Sequence, residues 1–331
     1  MTTKLLLAID AGNTNTVFAI YQGDEQRGHW RAETRAGRTA DEYAVWLNQL
    51  LDHEAIDGRG IGAAIIASVV PETVFHLSGL CQDYYGCRPL IVGENVHIGA
   101  ELAVDNPQEV GADRVVNAVA AHSRYPGALI IIDFGTATTF DVVDASGAYR
   151  GGAIAPGINL SLEALHMAAA KLPRVAARKP QSVIGTATTP MMQSGVYWGY
   201  VGLIEGLVAR IKGEFGEPMT VVATGGLAPL FDAAIPVIEH VDADLTMRGL
   251  LEIYLSIYHS FSCALFFCCF SFLSSFPVFS SFSSFSLSFF SFFFWSFSSS
   301  PSPSFFFPSS FSSFPLPLSS STSSFSFSPF F

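Results

Sequence analysis

Up to about residue 254 the chain alternates short apolar runs with polar, glycine-bearing turns and longer amphipathic stretches. The first run, Leu5-Leu6-Leu7-Ala8-Ile9, ends in Asp10 and turns through Gly12-Asn13-Thr14-Asn15-Thr16 before Val17-Phe18-Ala19-Ile20 resumes it. Apolar runs bounded by turn residues predict buried strands. A tight hairpin needs two turn residues such as Asn-Gly; this polar stretch is longer and rich in donors, so the turn itself is expected to serve a ligand. By the same pattern residues 61–70 form a buried strand closed by Pro71, 89–93 another, and 114–125 a helix ended by Pro126-Gly127. Residues 219–224 follow as a strand that turns at Gly225-Gly226 into an apolar helical start. Alternating strands and helices predict an α/β fold.

The opening pattern occurs twice. "LLAIDAGNTNTVFAI" at 6–20 is matched by "LIIIDFGTATTFDVV" at 129–143, with Asp10 on Asp133, Gly12 on Gly135 and Thr16 on Thr139. Each copy is a strand, a D-x-G-polar turn and a second strand that ends at another turn, Gln22-Gly23-Asp24 or Ala145-Ser146-Gly147. A repeat this long predicts two lobes of similar build. At the ends of buried strands Asp10 and Asp133 are placed to hold a hydrated Mg²⁺ or another cation, which prefers carboxylate oxygen and water. Gly12 and Gly135 let the backbone approach a ligand closely. Asn13, Thr14, Thr16, Thr136, Thr138 and Thr139 add side-chain donors, and turn N–H groups form anion-binding nests. Two such loops facing each other would grip a nucleotide's phosphates from both sides. Two ordinary D-x-G hairpins are the plainer alternative, and repetition at equivalent places weighs against it. Thr224-Gly225-Gly226 suits close passage beside a flat ligand such as adenosine, and a simple strand-to-helix turn explains it equally well.

Charge narrows the partners. The formal net charge is −11 and the pI about 5.1, which argues against a nucleic-acid backbone as partner. The five Cys have no paired C-x-x-C spacing, so neither a zinc site nor a disulfide framework is expected. MTTKLLLAID holds too short an apolar run for a signal peptide, which makes the cytoplasm the expected compartment, with no membrane partner. No G-x-x-x-x-G-K-[ST] and no H-R-D or D-F-G set is present, excluding P-loop and protein-kinase readings. Beyond residue 256 the chain becomes Ser, Phe, Pro and Leu; of its 30 Phe only Phe18, Phe75, Phe134, Phe140, Phe215 and Phe231 precede residue 260. That tail, 257–331, has no sustained period and no Asp, Glu, Lys or Arg, and all four dominant residues have pyrimidine-only codons. It reads as a translated pyrimidine tract, a fusion or translation artefact rather than a fold.

Six ordered motifs, "DAGNTNT", "NPQEVGADRVVNA", "DFGTATTFD", "GGAIAPGINLSLEAL", "MQSGVYWGYVG" and "ATGGLA", resemble those of the type III pantothenate kinases, within the acetate and sugar kinase/Hsc70/actin superfamily. The resemblance covers residues 5 to about 254. It implies two ribonuclease-H-like lobes of the acetate kinase/Hsc70/actin type, 1–120 and 121–256, and ATP-dependent phosphorylation of pantothenate at the first step of coenzyme A synthesis. It also implies a homodimer using Mg²⁺ with ATP and K⁺ or NH₄⁺. Carried over residue by residue, Asp10, Ala11, Gly12, Asn13, Thr14, Asn15, Thr16 and Val17 would form the first ATP loop, with Thr136 also touching ATP and Asp10 engaging Mg-ATP. Gly111, Ala112, Asp113, Arg114 and Thr188 would contact pantothenate, Asp113 would be the proton acceptor, and Asp133 would bind the monovalent cation. Val104 stands where several family members carry Tyr.

From the residues alone, Asp113 is equally a helix cap, and Arg114 either balances a substrate carboxylate or is a solvated surface residue. Gly195, Gly199, Gly202 and Gly206 share one helical face, which predicts close packing in a core or a dimer interface. A regulatory accessory factor on the same fold, or another small-molecule kinase of the superfamily, are the alternative functions; intact Asp10, Asp113 and Asp133 favour an enzyme.

Overall fold

The computed structural model describes residues 4–96, 98–168 and 172–257. Expectations for the tail fall, from residue 258 on, outside the described residues. The chain builds two five-stranded mixed sheets with flanking helices. In the first, β1 (Leu5–Ala11), β2 (Asn15–Gln22) and β3 (Glu25–Glu33) form an antiparallel meander, with β4 (Ile61–Ser68) parallel to β1 and β5 (Leu90–Ile91) parallel to β4. In the second, β6 (Ala128–Phe134), β7 (Ala137–Val143) and β8 (Tyr149–Pro156) repeat the meander, with β9 (Met219–Thr224) parallel to β6 and β10 (His240–Val241) parallel to β9. The strand orders β3-β2-β1-β4-β5 and β8-β7-β6-β9-β10 are therefore the same, and the repeat runs through all five strands of each sheet.

Register adds a correction. Ala11 pairs with Thr16, whereas the equivalent Phe134 pairs with Thr138. The first turn spans three residues, Gly12 to Thr14, and the second only Gly135 and Thr136. Thr16 is thus the counterpart of Thr138, not of Thr139, and both are fully buried. With that one-residue gap Phe18 falls on Phe140, both fully buried, and Ala19 falls on Asp141.

The helices cover these sheets with apolar faces. α1 (Ala40–His53) starts at a capping box, in which Thr39 and Glu42 satisfy each other's backbone N–H groups. Its Tyr43, Ala44, Leu47 and Leu51, with Leu77 of α2 (Pro71–Gly79), pack on Leu7, Ile9, Phe18 and Ile20. α3 (Ala112–Arg124) lies between the sheets, Val116 packing with the first and Ala118, Ala120 and Ala121 with the second. The last described helix, 245–257, returns to the first sheet, where Met247, Leu250, Leu251 and Ile253 meet Leu6, Ala8, Ala19 and Ile65. It crosses α3 at Gly249, where a β-carbon would sit 2.6 Å from the Val116 carbonyl oxygen. α4 (Ile158–Ala168) and the 28-residue α5 (Thr188–Phe215) cover the other face of the second sheet. The helical start expected after Gly226 is a four-residue turn, α6 (Ala228–Phe231). The lobe boundary expected at 120/121 falls inside α3.

Candidate active site

Parallel pairing on one side and a meander on the other put β1 and β6 at the centres of their sheets, so Asp10 and Asp133 stand at equivalent central strand ends. The turns that follow meet directly: the Thr14 and Thr136 hydroxyls are hydrogen-bonded at 2.7 Å. Asn13, Thr14 and Thr136 in these turns and Asn15 at the start of β2 are exposed, while Ala11 is fully buried and Val17 is half-buried against the cluster that holds helix 245–257. The first turn is braced from behind. Gly12 N–H donates to the Asn15 carbonyl (3.0 Å), and the Thr34 hydroxyl donates to the Gly12 carbonyl (2.7 Å) and bonds the buried Thr16 hydroxyl (2.9 Å).

α3 brings the third carboxylate. Its N-cap is Gly111, which makes no side-chain cap, and Asp113 is the second helical residue. Asp113 Oδ1 accepts the Arg114 N–H at 2.7 Å, so the carboxylate sits over the helix N-terminus without being the capping residue. A β-carbon on Gly111 would come within 2.6 Å of that oxygen, so a larger residue there would displace the carboxylate; Ala112 packs beside helix 245–257. Asp10, Asp113 and Asp133 form one electrostatic cluster. Burial, then the charges of Asp113 and Asp133, push Asp10 up to about 8. Burial, then Asp113 and Asp141, push Asp133 up to about 7, against the opposing hydrogen bond from the Asn117 amide (3.4 Å). Burial also raises Asp113, with the Arg114 N–H opposing.

Gly225, at φ +89°, closes on Asp133: a β-carbon there would lie 2.5 Å from Asp133 Oδ1. The first glycine of T-G-G therefore serves packing against the site carboxylate, whereas Gly226 faces open space. Thr188 opens α5, is exposed, and among the described residues has no hydrogen bond to the cluster.

Four participating residues escaped the sequence reading. Asp141, fully buried in β7, accepts hydrogen bonds from Arg114 Nε (2.7 Å), the Tyr149 hydroxyl (2.8 Å) and the Thr139 hydroxyl (2.8 Å), and Arg114 Nη2 lies 2.6 Å from it in the same ion pair. Arg114 is thus held by a buried carboxylate rather than standing as a solvated surface residue. Asn117, fully buried on α3, links Asp133 to the Thr246 hydroxyl (2.7 Å) of the last described helix. The signal available for Asp141 was a lone carboxylate in an apolar strand, and for Asn117 a lone amide among the Val and Ala of α3. Val104 packs in the cluster that holds Tyr149.

Among the described residues no group of three or more His, Cys, Asp or Glu is placed to hold a metal ion unaided. The donors that are present, mutually repelling carboxylates beside hydroxyls, suit a hard cation whose remaining ligands are phosphate oxygen and water. Among the described residues no helix is long and apolar enough to cross a membrane.

The sequence profile of the type III pantothenate kinases matches residues 6–210. A type III pantothenate kinase of Paramagnetospirillum magneticum is 68% identical over 251 residues, covering 76% of this chain and 96% of the relative. One from Rhodospirillum rubrum is 64% identical over 251 residues, with 76% and 98% covered. In fold alone, the chain resembles a 2-dehydro-3-deoxygalactonokinase-type protein of Sinorhizobium meliloti, with TM-score 0.51, 15% identity, and 76% and 97% covered. A Baf family transcriptional activator-type protein of Campylobacter jejuni gives TM-score 0.50 at 17% identity, with 76% and 99% covered.

Proposed function

Because the chain belongs to the type III pantothenate kinase family, we propose that its facing turns bind ATP and that the cleft phosphorylates pantothenate to 4'-phosphopantothenate, the first step of coenzyme A synthesis. The observation that carries the site assignment is the convergence of Asp10 and Asp133, from equivalent strand ends, with Asp113 of α3 beside the joined turns. The two like sheets support a description as ribonuclease-H-like lobes of the acetate kinase/Hsc70/actin type.

In this reading the pantothenate hydroxyl oxygen attacks the γ-phosphorus, the bond to the β–γ bridging oxygen breaks, and ADP leaves. Asp113 accepts the hydroxyl proton; its raised basicity suits that role. Backbone N–H groups and hydroxyls of the turns at 10–17 and 135–136 orient the phosphates. Gly111, Ala112, Arg114 and Thr188 would line the pantothenate side. Asp10 would hold Mg²⁺ with ATP and Asp133 K⁺ or NH₄⁺. When bound, these ions offset phosphate charge and the carboxylates' mutual repulsion. A cytoplasmic homodimer belongs to the same proposal: Gly195, Gly199 and Gly202 lie exposed along α5 with open space above them, room for close approach of a second copy's backbone.

The test is ATP-dependent phosphorylation of pantothenate by the purified full-length chain, and by a chain ending at residue 258, with Mg²⁺ and either K⁺ or Na⁺. Phosphorylated product that depends on K⁺ or NH₄⁺ is expected. A folded sample that makes none in any of these salts overturns the enzyme reading and favours the regulatory one. Asp113→Asn is expected to lose about 10²–10⁴-fold in kcat while ATP binding, read by calorimetry, is retained; near-normal turnover would leave Asp113 with only its helix-terminal role.

A further inference from the structure

The buried ion pair of Arg114 with Asp141 asks why a carboxylate occupies an apolar strand at all. The first sheet shows that the strand does not need one, since Ala19 fills the equivalent position inside a wholly apolar cluster. Burying a carboxylate costs several kcal/mol and is tolerated when its lone pairs are met by good donors. Here they are met by three hydrogen-bond donors within 2.8 Å, and Arg114 Nη2 adds an ion-pair contact at 2.6 Å. The backbone makes room as well. Gly152 pairs with Asp141 at a register shift, and a β-carbon on it would lie 1.7 Å from the Phe140 carbonyl oxygen.

The consequence falls on Arg114. Asp141 takes its Nε and Nη2 from one side, the Tyr149 ring lies 5.7 Å beneath the guanidinium, and among the described residues Nη1 has no protein partner. The side chain keeps 17% of its surface exposed, which leaves it reachable from outside the protein. The Asp113 side chain, next along the helix, is held by backbone N–H groups, that of Arg114 at 2.7 Å among them. A guanidinium released from Asp141 would be free to pair with Asp113 instead, occupying both the base and the anion donor.

We propose that Asp141, held by Tyr149 and Thr139, is a positioning residue that sets substrate selectivity: it pins Arg114 so that its open edge recognises a carboxylate on the acceptor and stays off Asp113. This rests on the pantothenate kinase reading above. Asp141 acts through Arg114 and does not touch the substrate. A planar guanidinium discriminates by orientation as well as charge, so loosening it weakens recognition of the carboxylate more than of the rest of the acceptor.

The experiment compares kcat and KM of the full-length chain for pantothenate and for pantothenol, in which CH₂OH replaces the carboxylate. In Asp141→Asn the KM for pantothenate is expected to rise about 10-fold with the KM for ATP unchanged, so the pantothenate-to-pantothenol ratio of kcat/KM falls by a similar factor. Asp141→Glu, which keeps the charge, is expected to recover part of that ratio, as a purely structural role would not require. Tyr149→Phe removes one of the three hydrogen-bond donors to Asp141 and is expected to lower the ratio about 2–3-fold; it decides the matter if Asp141→Asn does not fold. An unchanged ratio in a folded Asp141→Asn, or in Tyr149→Phe where the former is unfolded, overturns the proposal while wild-type activity stands. A wild-type chain that phosphorylates neither compound overturns the function reading and this proposal with it.

Discussion

Ala19 and Asp141 occupy the same place in two sheets of the same strand order, one residue after the fully buried Phe18 and Phe140. Around Ala19 the neighbours are Leu6, Ala8, Tyr21, Ile65 and the apolar face of helix 245–257. Around Asp141 they are Arg114, Tyr149 and Thr139. The first copy uses this face of its sheet for packing alone. The second uses the matching face to hold a cation from α3. The turns differ in step: three residues after Ala11, two after Phe134, joined at Thr14 and Thr136. One backbone plan therefore supports two roles, and the division comes from side chains that a change of one or two residues would alter.

The sharpest way to break the comparison is to make the copies alike. Ala19→Asp would place a carboxylate in the apolar cluster of the first sheet, opposite His29 of β3 and without the ion pair that receives its counterpart. A loss on the order of 3–5 kcal/mol is expected, read as a lowered urea midpoint, because an uncompensated buried charge carries its full desolvation penalty. A midpoint within experimental error of wild type would mean that the first sheet reaches water at that position.

A smaller effect is expected at Gly225, which packs against the second copy's Asp133. Gly225→Ala combines a left-handed φ of +89° with a β-carbon 2.5 Å from Asp133 Oδ1. About 1–3 kcal/mol of stability should be lost, together with a weakened response of activity to K⁺. Gly226→Ala, with open space around it, is the matched control, expected to change stability by less than about 0.5 kcal/mol. Equal effects at the two glycines would remove the argument for close packing at Asp133.

The smallest change concerns the link between the turns. Thr14→Val and Thr136→Val should each lower stability by about 1 kcal/mol or less, since both hydroxyls are exposed. The double variant should cost less than the sum of the two, with a coupling of a few tenths of a kcal/mol measured by a double-mutant cycle. Strict additivity would show that the two turns do not touch in solution.

Periodicity and turn chemistry were enough to predict β1, β2, β4, α3, β6, β7 and β9, because each is specified by a local run of apolar residues and its own punctuation. They also located Asp10, Gly12, Asp133 and Gly135, since a D-x-G turn after a buried strand is visible within a few residues. What they mistook was register. Aligning Thr16 with Thr139 counts residues, whereas strand pairing counts hydrogen bonds, and one residue fewer in the turn slips every later partner.

The roles of Arg114, Asp141, Tyr149, Asn117 and Thr246 lay beyond any local pattern. An arginine on α3 looks the same in sequence whether it faces water or a buried carboxylate 27 residues away. Asn117 and Thr246 are 129 residues apart. The sequence by itself determined the α/β class, the repeat, the two D-x-G turns and the family. Only the tertiary structure decided which strand face became an electrostatic site and which stayed core. The reason is that burial and pairing energies depend on what arrives from elsewhere in the chain: a carboxylate in an apolar strand is a defect until α3 delivers the guanidinium that satisfies it.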